Sequence, residues 1–588
     1  MSDDNFVYKA QDVNYLGFLE AQLRDMIGID TLAYELIQNA DDVQNEDGRL
    51  PVTTLIFDVT DDALVVHNNG RFRPVDFERL QNIAGGGKRA EAGVTGAFGL
   101  GFLAVYQVTD APEIFSNGRH WIIRPDAPTA QRIVERAAET SGTTFRLPWA
   151  TDPTSPVRRT LRLEAVQPAQ LDSFAHQMGE AIHQAIHFLQ RLTGLEVRRN
   201  GVTLRRVARQ PDGDRLRLTD ESGQVSEWLL LSGDFGPAAD QLRQQYPWQI
   251  EAQRQSRVQI ALPITTTLPT GRLYAGLPTA DRLPLTFHFN ADFFPTTDRK
   301  RVHFASGYQA EWNQTAVTTA AALLAKTLPE LPHLLSAHGL WPLLHSATET
   351  AQQAQRGELP EVFAAFWHEL RPKLAQTAVF YTAAHTWLLP ADGRLLPHAS
   401  AAATPLLTAL HIPVLHPNLT DYATLLRQIG TPSITVGDVA EGLRRAGLMR
   451  AVPLHEAPPF LRSLDAWQPL WRLLDGLLRG LPPAERTAAL DELKGCAIAV
   501  TDRMGLRPLS QLYRDQPEAQ ALFPDVAWLH PALPADSFPG RYVPTFGVRQ
   551  AVDQLSEWPI DQLEQAWQLG RLDLPRLFRW FESQQIEI

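Results

Sequence analysis

The chain is almost without cysteine: Cys496 stands alone among 588 residues, which excludes an intramolecular disulfide and any multi-cysteine metal site and suits a reducing compartment. Long apolar runs are also missing. The longest, such as "VTTAAALLA" near residue 320, fall far short of the roughly 20 residues that a membrane span needs, so no membrane association is expected. The opening "MSDDNFVYKA" is acidic and polar and lacks the basic and apolar regions of a secretory signal. Together these absences point to a soluble cytoplasmic protein. Lysine is scarce and the basic residues are almost all arginine, a bias of composition rather than of function. The net charge of −12 argues against a general binder of nucleic acid or membrane surfaces. No GxxxxGK[ST] phosphate loop occurs.

What is present is globular: 44% hydrophobic and 20% charged residues support large cores and no long disordered region. Residues 1–150 read as α/β. A helical stretch, "YLGFLEAQLRDMI", leads to a helix over 31–43 with Asp30 or Thr31 as N-cap, then strands "TTLIFDV" and "ALVVH", a short helix opening at Pro74, a glycine-rich stretch, an apolar helical run through Tyr106 and a closing strand "GTTFRLP". Residues 151–335 read as a second α/β unit, with a long amphipathic helix near 170–192, an Asn-Gly hairpin in "EVRRNGVTLRRV" and later strands ending in "LPLTFHFNADFF". Beyond 335 the chain is Leu-, Ala- and Pro-rich and mostly helical. A weak internal repeat, "IPVLHPNL" and "VAWLHPAL", suggests two α/β modules at about 378–445 and 495–556.

One stretch is chemically conspicuous. In "ELIQNADD" (35–42), Glu35, Asn39 and Asp42 fall at i, i+4 and i+7, a polar line along an otherwise apolar helix. In "TGAFGLGF" (95–102), Gly96, Gly99 and Gly101 precede an apolar helix, where close backbone approach and free N–H groups suit a phosphate. An Asn oxygen on a neighbouring helix suits Mg²⁺, and a carboxylate one turn earlier could polarise a water for attack on a terminal phosphoryl group.

In combination these motifs resemble the Bergerat-fold ATPases of the gyrase, heat-shock chaperone, histidine kinase and MutL superfamily (GHKL), and within it the sacsin-like branch. The resemblance implies an N-terminal ATPase sandwich of helices on a mixed sheet, a middle α/β domain (151–335), and a C-terminal sacsin-repeat-like region (336–588). "ELIQNADD" is similar to the family's N-box, which makes Glu35 the catalytic base, Asn39 the Mg²⁺ ligand and Asp42 a supporting pocket residue. "GAFGLGF" resembles the glycine motif of the ATP lid, assigning Gly96, Phe98, Gly99, Gly101 and Phe102 to the nucleotide, with Lys88 of "IAGGGKRA" available to a phosphate. "SGTTFRLP" resembles the closing strand and brings Thr143 to the adenine side. Where the family has Asp-x-Gly-x-Gly, this chain has "HNNGRF": Asn68 replaces the Asp, Gly70 is kept, and Phe72 replaces the second Gly. An Asn oxygen still accepts from the adenine amino group, but without charge. "LPLTFHFNADFFPTTDRKRVHF" resembles the end of the sacsin-like middle segment, making Arg299, with Arg301 as substitute, the basic residue that reaches the γ-phosphate.

The implied function is an ATP-binding and ATP-hydrolysing, chaperone-like protein that uses ATP and Mg²⁺ and acts on protein clients or partners. The alternative is a regulatory or sensor GHKL ATPase that acts with other proteins, for example in bacterial stress or antiviral defence, or on DNA in the manner of a MutL-like clamp; the net negative charge weighs against nucleic acid as a partner. A homodimer is compatible with the superfamily. A histidine kinase is set aside, since no phospho-acceptor helix precedes the ATPase unit. His176, His183 and His187 share the long helix but lack the HExxH glutamate, so they read as a polar helix face rather than a zinc site. Arg198, Arg199, Arg205 and Arg206 read as a solvated strand face, and the tryptophans of "WQPLWRLL" and "RLFRWFE" as core.

Overall fold

A computed structural model describes residues 14–24, 26–43, 53–81, 101–296, 300–514, 516–557, 559–570 and 572–584. The chain divides into two compact units, residues 1–370 and 371–588.

The first unit is a mixed α/β body built, among the described residues, on one 14-stranded sheet. Its strands are β1 (Thr54–Val59), β2 (Ala63–Asn68), β3 (Glu113–Ser116), β4 (Arg119–Ile123), β5 (Ile133–Ala137), β6 (Thr143–Pro148), β7 (Gly194–Arg199), β8 (Val202–Asp212), β9 (Arg215–Asp220), β10 (Val225–Asp234), β11 (Arg257–Pro263), β12 (Gly271–Ala275), β13 (Leu277–Leu283) and β14 (His288–Ala291). The order is β13-β12-β14-β11-β10-β9-β8-β7-β1-β2-β6-β3-β4-β5. Strands β1 and β7 pair in parallel, Thr54 opposite Gly194 through Val59 opposite Arg199, so the sheet runs unbroken across residue 150. Helices α1 (Tyr15–Leu23), α2 (Ile29–Asp41), α3 (Pro74–Gln81), α4 (Pro156–Leu161) and α5 (Leu171–Ala185) belong to this half of the unit.

Alternation decides what faces the helices. Leu55, Phe57 and Val59 of β1, Leu64 and Val66 of β2, and Phe145 and Leu147 of β6 are all buried, as period 2 requires of strands covered on one face. Leu32, Ala33, Leu36, Ile37 and Ala40 form the matching stripe of α2, and Ala175, Met178, Ala181, Ile182 and Ala185 that of α5; all join one core cluster. Helix α2 opens earlier than its cap signals suggest. Gly28 is the N-cap and Asp30 lies in the first turn, where its carboxylate takes the Thr31 N–H at 2.9 Å and complements the helix dipole. The apolar run before Tyr106 forms a 3₁₀ helix, Gly101–Gln107. The long helix ends at Ala185 and passes into a 3₁₀ turn, Ile186–Phe188.

That turn corrects the reading of His187 as part of a polar face. His176 is exposed, but His187 is buried and sits edge-on to Trp228, with ring centroids 4.5 Å apart, and 4.8 Å from His288. Among the described residues neither His187 Nε2 nor His288 Nδ1 has a hydrogen-bond partner. Burial pushes the His187 imidazole down to about 4 and His288 to about 2. A depressed histidine contributes stability that is complete above the unfolded value near 6.5 and is lost as pH falls toward the folded one. For His187 alone the loss is on the order of 3 kcal/mol. Denaturant melts at pH 7 and 4.5 should therefore separate wild type from His187→Phe, which keeps the ring but cannot charge: the variant should lose less stability on acidification. Parallel losses would remove His187 as a source of acid sensitivity. Among the described residues no group of three or more His, Cys, Asp or Glu could hold a metal ion, and no helix is long and apolar enough to cross a membrane.

The arginines of the Asn-Gly hairpin are largely matched by carboxylates: Arg198 by Glu196, Arg199 by Asp172 and Asp61, Arg205 by Glu221. Asn200 and Gly201 take positive φ values of 50° and 80° at the turn, the geometry that makes Asn-Gly a hairpin signal.

The second unit is mostly helical, with a two-stranded sheet, β15 (Phe380–Tyr381) and β16 (Trp387–Leu388), and a three-stranded one, β17 (Val452–Pro453), β18 (Ala497–Val500) and β19 (Gly505–Pro508), ordered β17-β19-β18. Its two "LHP" segments bond to their own strand–turn in one pattern. Thr382 N–H donates to Thr386 O, Ala383 N–H to Val414 O and His416 N–H to Tyr381 O; likewise Thr501 to Gly505, Asp502 to Trp528 and His530 to Val500. In each copy the histidine Nδ1 accepts a backbone N–H two residues on, from Asn418 or Ala532. Trp467, Trp471 and Trp580 are core residues, whereas Trp567 and Phe578 are 52% and 65% exposed.

Candidate functional site

The polar line of α2 meets the start of the 3₁₀ helix. A Cβ on Gly101 would lie 1.9 Å from Glu35 Oε2 and 2.8 Å from its Cδ, so this backbone approaches the carboxylate as only glycine can. Glu35 and Asn39 are half-buried, and Asp42 is buried just past the last turn of α2. Phe102 is buried behind Gly101 and stacks obliquely on Phe145, centroids 5.6 Å apart.

The far end of the 3₁₀ helix is fixed by two side chains that the motifs did not single out. Gln107 accepts the Gly28 N–H at 2.7 Å and donates to Met26 O at 2.7 Å, tying the helix end to the entry of α2. Arg158 of α4, fully buried, pairs with Asp110 at 2.6 Å and donates to the carbonyls of Tyr106, Gln107 and Thr109. These are carbonyls that a helix C-terminus leaves unsatisfied, and a guanidinium suits them in charge and geometry.

A row of polar side chains crosses three neighbouring strands at one end of the buried face. Asn68 pairs with Thr143 across β2 and β6, and Thr143 with Ser116 across β6 and β3. All three are buried, following Leu64 and Val66, Phe145 and Leu147, and Ile114 on the same face. Asn68 Oδ1 accepts the Gly70 N–H at 2.9 Å, Thr143 Oγ1 donates to Gly70 O at 3.0 Å and lies 2.7 Å from Ser116 Oγ, and Ser116 Oγ accepts the Phe72 N–H at 2.8 Å. A carboxamide oxygen has two lone pairs, so Asn68 retains capacity for a second donor. Gly142 is required by the same packing, since a Cβ there would lie 2.3 Å from Asn68 O. Phe72, in place of the family's second Gly, turns into the core against Phe77 and Phe145, centroids 5.3 and 6.0 Å away. No motif marked Ser116; its faint signals in the sequence are the Asn-Gly pair that follows it, 117–118, and its parity with Ile114.

Burial raises the Tyr34 hydroxyl, which donates to Gln184 Oε1 at 3.0 Å, to about 12, and holds the His67 imidazole, on the opposite face from Asn68, below its usual value, helped by Arg198. Lys88, Gly96, Phe98, Gly99 and Arg299 lie outside the described residues. Arg301 is exposed beside the bridge of Pro295 to Val302.

Residues 18–139 match the family model of the Sacsin domain, and over that segment the chain is sacsin-like. Among curated proteins it resembles Protein NO VEIN of Arabidopsis thaliana, 38% identical over 87 residues, which is 15% of this chain and 3% of that protein. It also resembles Sacsin of Homo sapiens, 41% identical over 63 residues, 11% of this chain and 1% of that protein. The matched stretches are thus small parts of much longer relatives. Solved structures that align with it include the ATPase region of Saccharomyces cerevisiae topoisomerase II (TM-score 0.27, 9% identity, 46% of this chain and 76% of that one) and the ATPase domain of Aquifex aeolicus MutL (TM-score 0.25, 11% identity, 45% and 90%).

Proposed function

We propose that the N-terminal half of the first unit binds Mg-ATP and hydrolyses it, and that the resulting conformational cycle acts on protein clients or partners. The observation that carries this reading is the approach of Gly101 to the Glu35 carboxylate, within a segment that matches the Sacsin domain. Cofactor and residues fit: the carboxylate of Glu35 and the carboxamide oxygen of Asn39, one turn apart on α2, form an oxygen donor set suited to a hard cation, and the glycine at residue 101 lets the backbone come close to that carboxylate. Bound Mg²⁺ would neutralise developing charge on the phosphates. Asn39 would supply its Oδ1 to the metal, Glu35 would orient and deprotonate the attacking water, and Asp42 would support them. Asn68, Gly70 and Thr143 would hold the base end. Lys88, Gly96, Phe98, Gly99 and Phe102 are assigned to the lid and Arg299 to the γ-phosphate.

Titration calorimetry of the full chain with ATP, with and without Mg²⁺, tests the proposal. Wild type should bind ATP more tightly with Mg²⁺, and Asn39→Ala should lose that metal-dependent part. No binding under either condition would sink the reading.

A further inference from the structure

The first Asp of the "ADD" sequence does not join the polar line. Asp41, the last residue of α2, is 8% exposed. Its carboxylate accepts three successive backbone N–H groups from outside the helix: Gln190 at 2.8 Å, Arg191 at 2.7 Å and Leu192 at 2.8 Å. Arg191 returns the contact by donating its Nη1 to Asp41 O at 2.7 Å. A negative charge at a helix C-terminus opposes the helix dipole. The position is therefore poor for α2 by itself and becomes favourable through these charge-assisted bonds.

The gripped segment leads directly into the sheet. Thr193 and Gly194 donate their N–H groups to Thr53 O at 2.8 and 2.9 Å, and β7 starts at Gly194, in parallel with β1. On the other side of Thr53, the Asn69 Oδ1 accepts the N–H groups of Thr53 and Thr54 at 3.0 and 3.3 Å. Asn69 directly follows Asn68, the candidate base reader. A hydrogen-bonded path thus runs from the C-terminal turn of the Glu35/Asn39 helix through residues 190–194 to the end of β2.

We infer that Asp41 is a positioning residue: by gripping residues 190–192 it sets the last turn of α2, and with it Asn39, and joins the nucleotide site to the second half of the sheet. This rests on the Mg-ATP reading for its consequence, not for its geometry. Coupling of this kind is reciprocal, so what loosens 190–192 must weaken the ligand at Asn39.

The test is hydrogen exchange by mass spectrometry on the full chain, together with Mg-ATP titration, for wild type, Asp41→Asn and Arg191→Met. Asp41→Asn keeps the shape but loses the charge and one acceptor oxygen. Without nucleotide, exchange should rise in both 190–192 and 36–41. The Kd for Mg-ATP should rise by about tenfold, within the usual range for coupled sites, and recover as Mg²⁺ is raised, a rescue that mere destabilisation would not give. Arg191→Met, which leaves the carboxylate cradle intact and guards against a variant that fails to fold, should move the same readouts less. Faster exchange confined to 190–192, with 36–41 and affinity unchanged, would overturn the inference. If wild type bound no Mg-ATP, the functional reading would fail, while exchange in the absence of nucleotide would still decide whether Asp41 anchors α2.

Discussion

A fragment ending at residue 150 is expected not to fold, whereas residues 1–370 should unfold cooperatively. The core cluster that contains Leu36, Phe57 and Val66 also contains Leu171, Met178, Ile182, Ile186, Leu195 and Val197. Burying a large apolar side chain contributes about 1.5–3 kcal/mol, so removing these six alone forfeits on the order of 10 kcal/mol, as much as the whole stability of a typical domain, about 5–15 kcal/mol. The fragment would also turn β1 from an interior strand into an edge, since β7 is its parallel neighbour. It would strip the buried Asp41 carboxylate of its three donors, leaving a charge without partners. Circular dichroism and urea melts of the two fragments decide the matter. A cooperative melt of 1–150 with a midpoint near that of 1–370 would refute the expectation.

The second large effect concerns turnover. Glu35→Ala should reduce ATP hydrolysis by about 10²–10⁴-fold, the range of a lost general base, with Mg-ATP affinity changed far less. Gly101→Ala should mimic it, because the new methyl would occupy the place of the Glu35 carboxylate and turn it away; misplacing a catalytic group by about 1 Å can cost 10²-fold. The double variant separates this mechanism from general damage. Once Glu35 is truncated to alanine, the methyl at residue 101 has nothing to displace, so Gly101→Ala should add little further loss. Full additivity of the two defects would show that Gly101 acts on something other than Glu35.

What was legible of the candidate site rests on local signals. The helical spacing of "ELIQNADD" placed Glu35 and Asn39 one turn apart on one helix; Asn68 and Thr143 came from the resemblance alone, and it is the structure that shows them on the face of Leu64 and Val66 and of Phe145 and Leu147. His187 was misread because spacing marks a helix face but not its neighbours. Helical periodicity breaks at Ala185, and the 3₁₀ turn swings His187 into an aromatic pocket formed by Trp228, Tyr274 and His288. Gln107, Arg158 and Ser116 escaped notice because each acts on backbone groups that lie far away in sequence, and no motif spacing records them.

The sequence by itself determined the local grammar: the apolar stripes of α2 and α5, the alternating strands, the Asn-Gly turns, and the order of carboxylate, carboxamide and glycines whose chemistry suits a nucleotide. These follow from 3.6- and 2-residue periods and from the backbone freedom of glycine, all short-range properties. Only the tertiary structure decided that β1 pairs with β7 across 140 residues, Thr54 with Gly194, and that Asp41 closes on residues 190–192 while Glu35 faces Gly101. Such pairings satisfy buried backbone groups and charges with partners remote in the chain, and that choice depends on the shape of the whole core rather than on any segment's own preference.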